Sequence, residues 1–338
     1  MRRHWTGEGM RSSSFAGTGT PGFSGDGGPA AAARLNGPFD LAFDPSGGLV
    51  FADTFNHAIR RIDPDGTIAT LAGAPVSGTG EAGFAGDGGP ATAARLHEPY
   101  GIAIAADGRI FVVDRLNRRV RVIARGTIAT LAGNGRAVAD GDGGPAAAAG
   151  LVEPNDCCLD AGGTRLLIAD VAAHVVRAVD LAGGGISTLA GTGEARHAGD
   201  GGPARLAALH GPRAVASAAD GAILILERNG STLRRIDPLS GHIATIAGTG
   251  VRGEAGDGGP ATRAEFAAPK ELAVCRDGAI LIVDTETNRI RRIDRNGIVT
   301  TVASGLARPH GVAEGPGGTL FIGDTEHHRI ALCQPGPA

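Results

Sequence analysis

The sequence predicts an all-β fold: a six-bladed β-propeller of four-stranded antiparallel blades, with a strand near the N-terminus closing the last blade. Three observations predict it. Gly-Asp-Gly-Gly-Pro occurs five times, with aspartates at Asp26, Asp87, Asp142, Asp200 and Asp257, spaced 61, 55, 58 and 57 residues apart. An acidic residue closes an apolar run six times, at Asp53, Asp114, Asp170, Glu227, Asp284 and Asp324. Phrases like Thr-Ile-Ala-Thr-Leu-Ala-Gly end at Gly73, Gly133, Gly191 and Gly248. A unit of four short strands repeated at this period is the pattern of propeller blades separated by insertions.

The first unit shows the elements in order. Strand a runs roughly from Phe39 to Phe43 and turns at Asp-Pro-Ser-Gly-Gly. Strand b covers Leu49 to Asp53 and strand c Ala58 to Ile62. A turn Asp-Pro-Asp-Gly then leads into strand d, Thr67 to Leu71. Apolar and β-branched runs of this length between Asp-Gly and Gly-Gly turns read as strands in hairpins. The sixth unit stops after strand c, His328 to Cys333. Met10 to Gly17 resembles the tail of a repeat and is expected to supply the missing strand. That closure leaves no free sheet edge in the ring. The expected organisation is one domain over residues 1–338, with 1–9 as a flexible extension.

Composition narrows the function. Net charge is −3 with mixed signs and no basic block, so nucleic acid and anionic membrane surfaces are not expected partners. No apolar run reaches the length of a membrane span, and no hydrophobic stretch follows the basic N-terminal residues. Four cysteines do not form a disulfide framework, and Cys157 and Cys158, adjacent on a strand, should point to opposite faces. A reducing cytoplasm is the expected location.

Phrases such as Ala-Asp-Thr-Phe-Asn-His-Ala-Ile-Arg-Arg-Ile-Asp (52–63) and Gly-Asp-Gly-Gly-Pro-Ala-Thr-Ala-Ala-Arg-Leu (86–96) resemble the NHL-repeat family of propellers. The resemblance implies the fold across nearly the whole chain. For function it implies several classes: protein-binding platforms, RNA binders, sensors, lyases and hydrolases.

One column of the repeat changes chemically in every copy. The residue after the proline that opens strand a is Phe39, Tyr100, Asn155, Arg213, Lys270 or His310. Uniform columns solve a shared packing problem, so a varying one points to an adapted site. Lys270 is the only lysine and Tyr100 the only tyrosine. Propeller geometry sets Phe39 opposite Arg213, Tyr100 opposite Lys270 and Asn155 opposite His310. In the next column blades 1, 3 and 5 carry Asp40, Asp156 and Glu271 where Gly101 and Gly311 stand elsewhere. Lysine deprotonates more readily on burial than arginine, which suits a base or an imine-forming amine. Tyr100 suits proton donation, and Arg213 suits a substrate carboxylate or phosphate.

The proline-initiated insertions, each ending in a buried anchor (Leu35, Leu96, Leu151, Leu209 or Phe266), are expected to wall a cup over the channel mouth. Blade 6 lacks one, which predicts a notch beside His310. Zinc-dependent amidating lyases of this propeller class, which the chain resembles in fold, carry a histidine after the proline in several blades. Here only His310 stands there, so the resemblance implies no such zinc site and leaves His310 a weak metal candidate. His57, His174 and His328 recur at one turn position, as a structural cap would. The repeated acids also read as structural, those of Gly-Asp-Gly-Gly-Pro by bonding their own loop amides.

The expectation is a cytoplasmic, stand-alone enzyme that takes a small organic molecule into the cup. Its chemistry would be cofactor-independent acid–base work of a lyase, isomerase (cyclase) or hydrolase. Lys270 and His310 are candidate bases, with Glu271 in support and Tyr100 as the acid. Arg213, Asn155, Phe39, Asp40 and Asp156 would hold the substrate. The alternative is a non-catalytic scaffold for a protein or peptide.

Overall fold

The computed structural model describes residues 12–73, 75–76 and 79–334; the expected extension over residues 1–9 lies outside them. Six four-stranded antiparallel sheets surround a central channel, and the described residues contain no α-helix. In blade 1, strands a to d are Pro38–Phe43, Leu49–Asp53, Ala58–Ile62 and Ile68–Ala72. The other a strands are Pro99–Ile104, Pro154–Leu159, Pro212–Ser217, Glu271–Val274 and Gly311–Glu314. Each packs on the next, and the last packs on the first. Ser13–Ala16 pairs with Arg329–Cys333 as strand d of blade 6, so the ring closes as the repeat count predicts.

The core lies between blades. Strand b of blade 1 is buried along its whole length because it has a strand on each side and a neighbouring blade on each face. Blades diverge with distance from the channel, and the insertions fill the wedges that open. Ala91, Ala94 and Leu96 pack with Ala52, Ile59 and Ala72 of blade 1 and with Val112 and Ile128 of blade 2. All five anchors are fully buried, each contributing about 1.5–3 kcal/mol of apolar burial.

This location corrects the expected cup. Each insertion runs along the outer strand of its own blade rather than over the channel mouth: Pro29 bridges to Thr67, Pro90 to Thr127 and Pro260 to Ile298. The Gly-Asp-Gly-Gly-Pro aspartates also differ from the expected loop caps, bonding the blade instead: Asp26, Asp142 and Asp200 accept from the N–H of Thr70, Thr188 and Thr245 on strand d. Asp26, Asp87, Asp142, Asp200 and Asp257 each accept from a buried strand c arginine: Arg60, Arg121, Arg177, Arg234 and Arg291 respectively, at 2.5–2.7 Å. Four of these guanidiniums also meet the acid that closes strand b, at 3.2–3.7 Å. Blade 6, which has no insertion, has Ala331 in that arginine position. Arginine and insertion are therefore present or absent together, as a buried charge and its counterion must be.

The b–c turns join blades. His57, His174 and His328 adopt left-handed backbone with φ of 54°, 57° and 49°. Their Nδ1 atoms accept from the backbone N–H of Glu98, Gly211 and Gly37, at 3.1, 3.2 and 3.3 Å. Each ties a turn to the entry of the next blade's strand a, so the capping role extends across the blade boundary.

Candidate functional site in the channel mouth

The variable column sits at a backbone irregularity. In blades 1 to 4 the pairing of strands a and b slips by one residue directly after the proline. In blade 3 Pro154 faces Asp170 and Asp156 faces Ala169, leaving Asn155 as the extra residue; Arg213 is the extra residue of blade 4. Such a bulge re-aims a side chain without disturbing the rest of the ladder. It turns these residues into the mouth, where all except Tyr100 are buried.

The six do not meet as opposite pairs. Phe39 stacks on His310 with ring centres 3.9 Å apart and packs on Tyr100 at 4.5 Å and on Phe55 at 5.5 Å. Its ring is thus occupied by packing. Arg213 reaches Tyr100 instead of Phe39, lying 5.2 Å from that ring's centre, while Arg115 lies 4.7 Å from it. Asn155 donates to the Glu153 carbonyl at 2.9 Å. Lys270 approaches neither Tyr100 nor Glu271; its Nζ lies 2.9 Å from His310 Nε2.

The hydrogen bonds of His310 identify its tautomer. Its Nδ1 lies 2.8 Å from the Arg308 carbonyl and 3.1 Å from Thr325 Oγ1. A carbonyl only accepts, so Nδ1 carries the proton and Nε2 accepts from Lys270. Burial, then the charges of Lys270 and Arg213, hold the imidazole well below its usual range, so it is neutral. Burial also brings Lys270 down to about 7, helped by Arg213, Arg308 and Arg228. Near neutral pH this amine exchanges readily between its two protonation states. Burial keeps the Tyr100 phenol above its usual range. His310 is no metal ligand in this arrangement, since an amine faces one ring nitrogen and a carbonyl the other. The expected notch beside it is spanned by Arg308, paired with Glu286 and Glu326.

The acids lie one layer deeper than expected. Asp40, Asp156 and Glu271 converge from alternate blades, with ligand-capable oxygens within 4.8 Å of one another. Asp40 accepts from the Ile102 N–H at 2.7 Å and Asp156 from the Val215 N–H at 2.8 Å, each reaching the next blade. The intervening blades must stay small here. A Cβ on Gly101 would come within 2.6 Å of Asp156, and one on Gly311 within 2.3 Å of the Phe39 carbonyl. Burial pushes Asp40 up to about 6; burial and the Asp40 charge push Asp156 up to about 8; burial raises Glu271 strongly. Like charges this close cannot all ionise, so the ring holds protons at neutral pH. Among the described residues these three side chains form a group able to hold a divalent cation, whereas the histidines, His310 foremost, were the expected metal candidates. The alternation of acids with small residues (Gly101, Ala214 and Gly311) in this column was the available signal.

Below the acids the channel widens into a cavity of about 360 Å³ that runs along the a strands towards the a–b turns. Its walls include Cys158, Ala216, Val274 and Ala313, with Arg276 and Glu314 at the far end. All four cysteines are unbridged.

Comparison with known proteins agrees with this architecture. The Teneurin NHL domain model matches residues 76–140 and 249–306, and the NHL repeat model matches 306–331. The chain is 29 % identical over 285 residues to Protein SUPPRESSOR OF QUENCHING 1, chloroplastic, of Arabidopsis thaliana, covering 78 % of this chain and 25 % of that protein. It is 28 % identical over 288 residues to Virginiamycin B lyase of Nocardia farcinica, covering 84 % of this chain and 76 % of the lyase. It spans a quarter of the plant protein and 8 % of mouse Teneurin-1. An auxiliary nutrient binding protein from Bacteroides thetaiotaomicron superposes with a TM-score of 0.67 at 16 % identity, over 95 % of this chain and 75 % of that one, a likeness of fold.

Proposed function

We propose that this chain, a propeller built of NHL repeats, is an enzyme that acts on a small organic molecule at the channel mouth by acid–base chemistry. The observation that carries the reading is the Lys270–His310 couple, a buried amine bonded to a neutral imidazole with no carboxylate in ion-pair reach among the described residues. A structural lysine in such a place would have an acid for a partner. A base works best when its pKa lies near the operating pH, and burial among arginines brings Lys270 there. Lys270 takes the proton from the substrate. His310 orients the amine through Nε2 and is itself held by Arg308 and Thr325. Tyr100, at the rim, donates a hydrogen bond or proton to the oxygen that gains charge. A relative of similar length named as a lyase supports an enzyme of the lyase, isomerase or hydrolase kind. The scaffold alternative draws less support, because the large exposed apolar residues among those described (Phe55, Phe84, Val138, Leu206, Leu239 and Val251) are spread over separate turns and insertions.

The single lysine makes the test direct. Competitive labelling with an amine-selective reagent across pH, read by mass spectrometry of the peptide containing Lys270, should give half-maximal reactivity at about pH 7. A midpoint in the ordinary lysine range of about 10.4 would overturn the reading. With a substrate identified, Lys270→Ala should lower kcat by about 10²–10⁴.

A further inference from the structure

Five basic side chains bear on the mouth, and they divide sharply. Arg115 is held by Glu98 and Glu153 at 3.0 and 2.7 Å, and Arg308 by Glu286 and Glu326 at 3.0 and 3.3 Å. The other three have no counterion: among the described residues no carboxylate lies within ion-pair distance of Arg213, Arg228 or Lys270. Arg213 is 6 % exposed, and no hydrogen bond reaches its guanidinium. Arg228, the first residue of the b–c turn of blade 4, is half-buried, and its Nε is buried without a partner. Lys270 has only the neutral His310.

Acids do act on these cations from a distance: Glu271, Asp156 and Asp40 on Arg213 from the channel, and Glu286 on Lys270 from the rim. None of them closes the gap. Asp156 and Glu271 hold protons at neutral pH, Asp40 is bonded to the N–H groups of Leu41 and Ile102, and Glu286 is committed to Arg308. Two forked donors and an amine, mutually repelling and partly or wholly buried, are thus gathered at one mouth with no ion pair to any of them among the described residues.

We propose that the mouth is an anion site in which a carboxylate or phosphate group of the substrate lies among Arg213, Arg228 and Lys270. This assigns a substrate class and rests on the preceding reading of the mouth as a small-molecule site. Guanidiniums match the paired oxygens of either group. Binding has a chemical consequence. An anion offsets the positive charge that disfavours protonation of Lys270, so docking raises its proton affinity and favours the ammonium, including the one left after proton abstraction.

The test uses the whole chain with two probes, inorganic phosphate and acetate, followed by calorimetry and by labelling of Lys270. At least one probe should bind saturably at one site and slow labelling at neutral pH by about fivefold, the effect of a one-unit rise from a lysine pKa of about 7. Arg213→Gln should weaken binding at least tenfold and Arg228→Gln severalfold, while the exposed Arg136→Gln should leave it unchanged. Arg213→Lys, which keeps the charge and loses the fork, should fall between, and it serves if Arg213→Gln fails to fold. Preference for phosphate identifies a phosphorylated substrate, and preference for acetate a carboxylic acid. Binding that is absent, or indifferent to Arg213 and Arg228, overturns the proposal. A lysine that labels at about pH 7 with no response to either anion sinks the anion site and leaves the base. A lysine of ordinary pKa beside a functioning anion site does the reverse.

Discussion

Two sets of buried arginines share this molecule and have opposite surroundings. Arg60, Arg121, Arg177, Arg234 and Arg291 sit in equivalent positions on strand c, and each has an insertion aspartate at 2.5–2.7 Å. Arg213 is nearly as buried, occurs once and has no ion pair. A buried charge is tolerated when its partner is built beside it, and a repeat reproduces partner and charge together. The first set is therefore framework, welding insertion to blade. Arg213 is the case where the partner is missing, and an unsatisfied buried charge in a cleft points to a ligand.

Substitution should separate the two sets most sharply. Arg121→Leu strands Asp87 and the buried Asp114, so it should lower the unfolding free energy in urea by about 3–5 kcal/mol. Arg213→Met removes a charge that has no partner. Without ligand it should stay within about 1 kcal/mol of the wild type or be more stable. Equal losses in both variants would erase the distinction.

The acid ring gives a smaller effect with a defined sign. Asp156 is pushed up to about 8 in the fold by burial and by Asp40, so the unfolded chain loses this proton first as pH rises. Its contribution is favourable below the ordinary carboxylate range and is lost as pH climbs through about 8. Asp156→Asn removes the penalty. It should be more stable than the wild type by about 1–3 kcal/mol at alkaline pH, with the difference vanishing in acid. A divalent cation that stabilises the wild type and not this variant would show the ring acting as a cation site.

The smallest effect belongs to the turn histidines. His174→Ala loses one acceptor between blades and should cost about 0.5–1.5 kcal/mol. Burial, aided by His210, lowers the His174 pKa. Its contribution is therefore full above the ordinary imidazole range and lost as pH falls through the lowered value. Thermal melts of the variant and wild type should converge in acid.

The blade count, the strand limits and the closing N-terminal strand were all legible, because each repeats or completes a repeat. The buried anchors were legible for the same reason. The course of the insertions was not. Leu35 and Leu96 read as anchors in either location, and the decisive sign, an arginine on strand c present only where an insertion precedes it, lies in the pairing of two distant columns. The candidate residues were found as a list of six plus three acids. Their partners were misjudged because six-fold symmetry suggests diametric pairs. Side chains of unequal length instead meet neighbours, as Lys270 meets His310 and Phe39 meets both His310 and Tyr100.

By itself the sequence determined the architecture: strand alternation, turn residues and a period near 57 admit one closed ring, since every copy must bury the same two faces. It also determined which column departs from uniformity. Only the tertiary structure decided what that departure means. Proton affinity and charge balance depend on which groups lie within a few ångströms and on whether water reaches them, and neither follows from position along the chain. The ring of blades brings Asp40, Asp156 and Glu271 together from across the sequence. It sets Lys270 against His310 and leaves Arg213 without a counterion. The chemistry of the mouth follows from that arrangement.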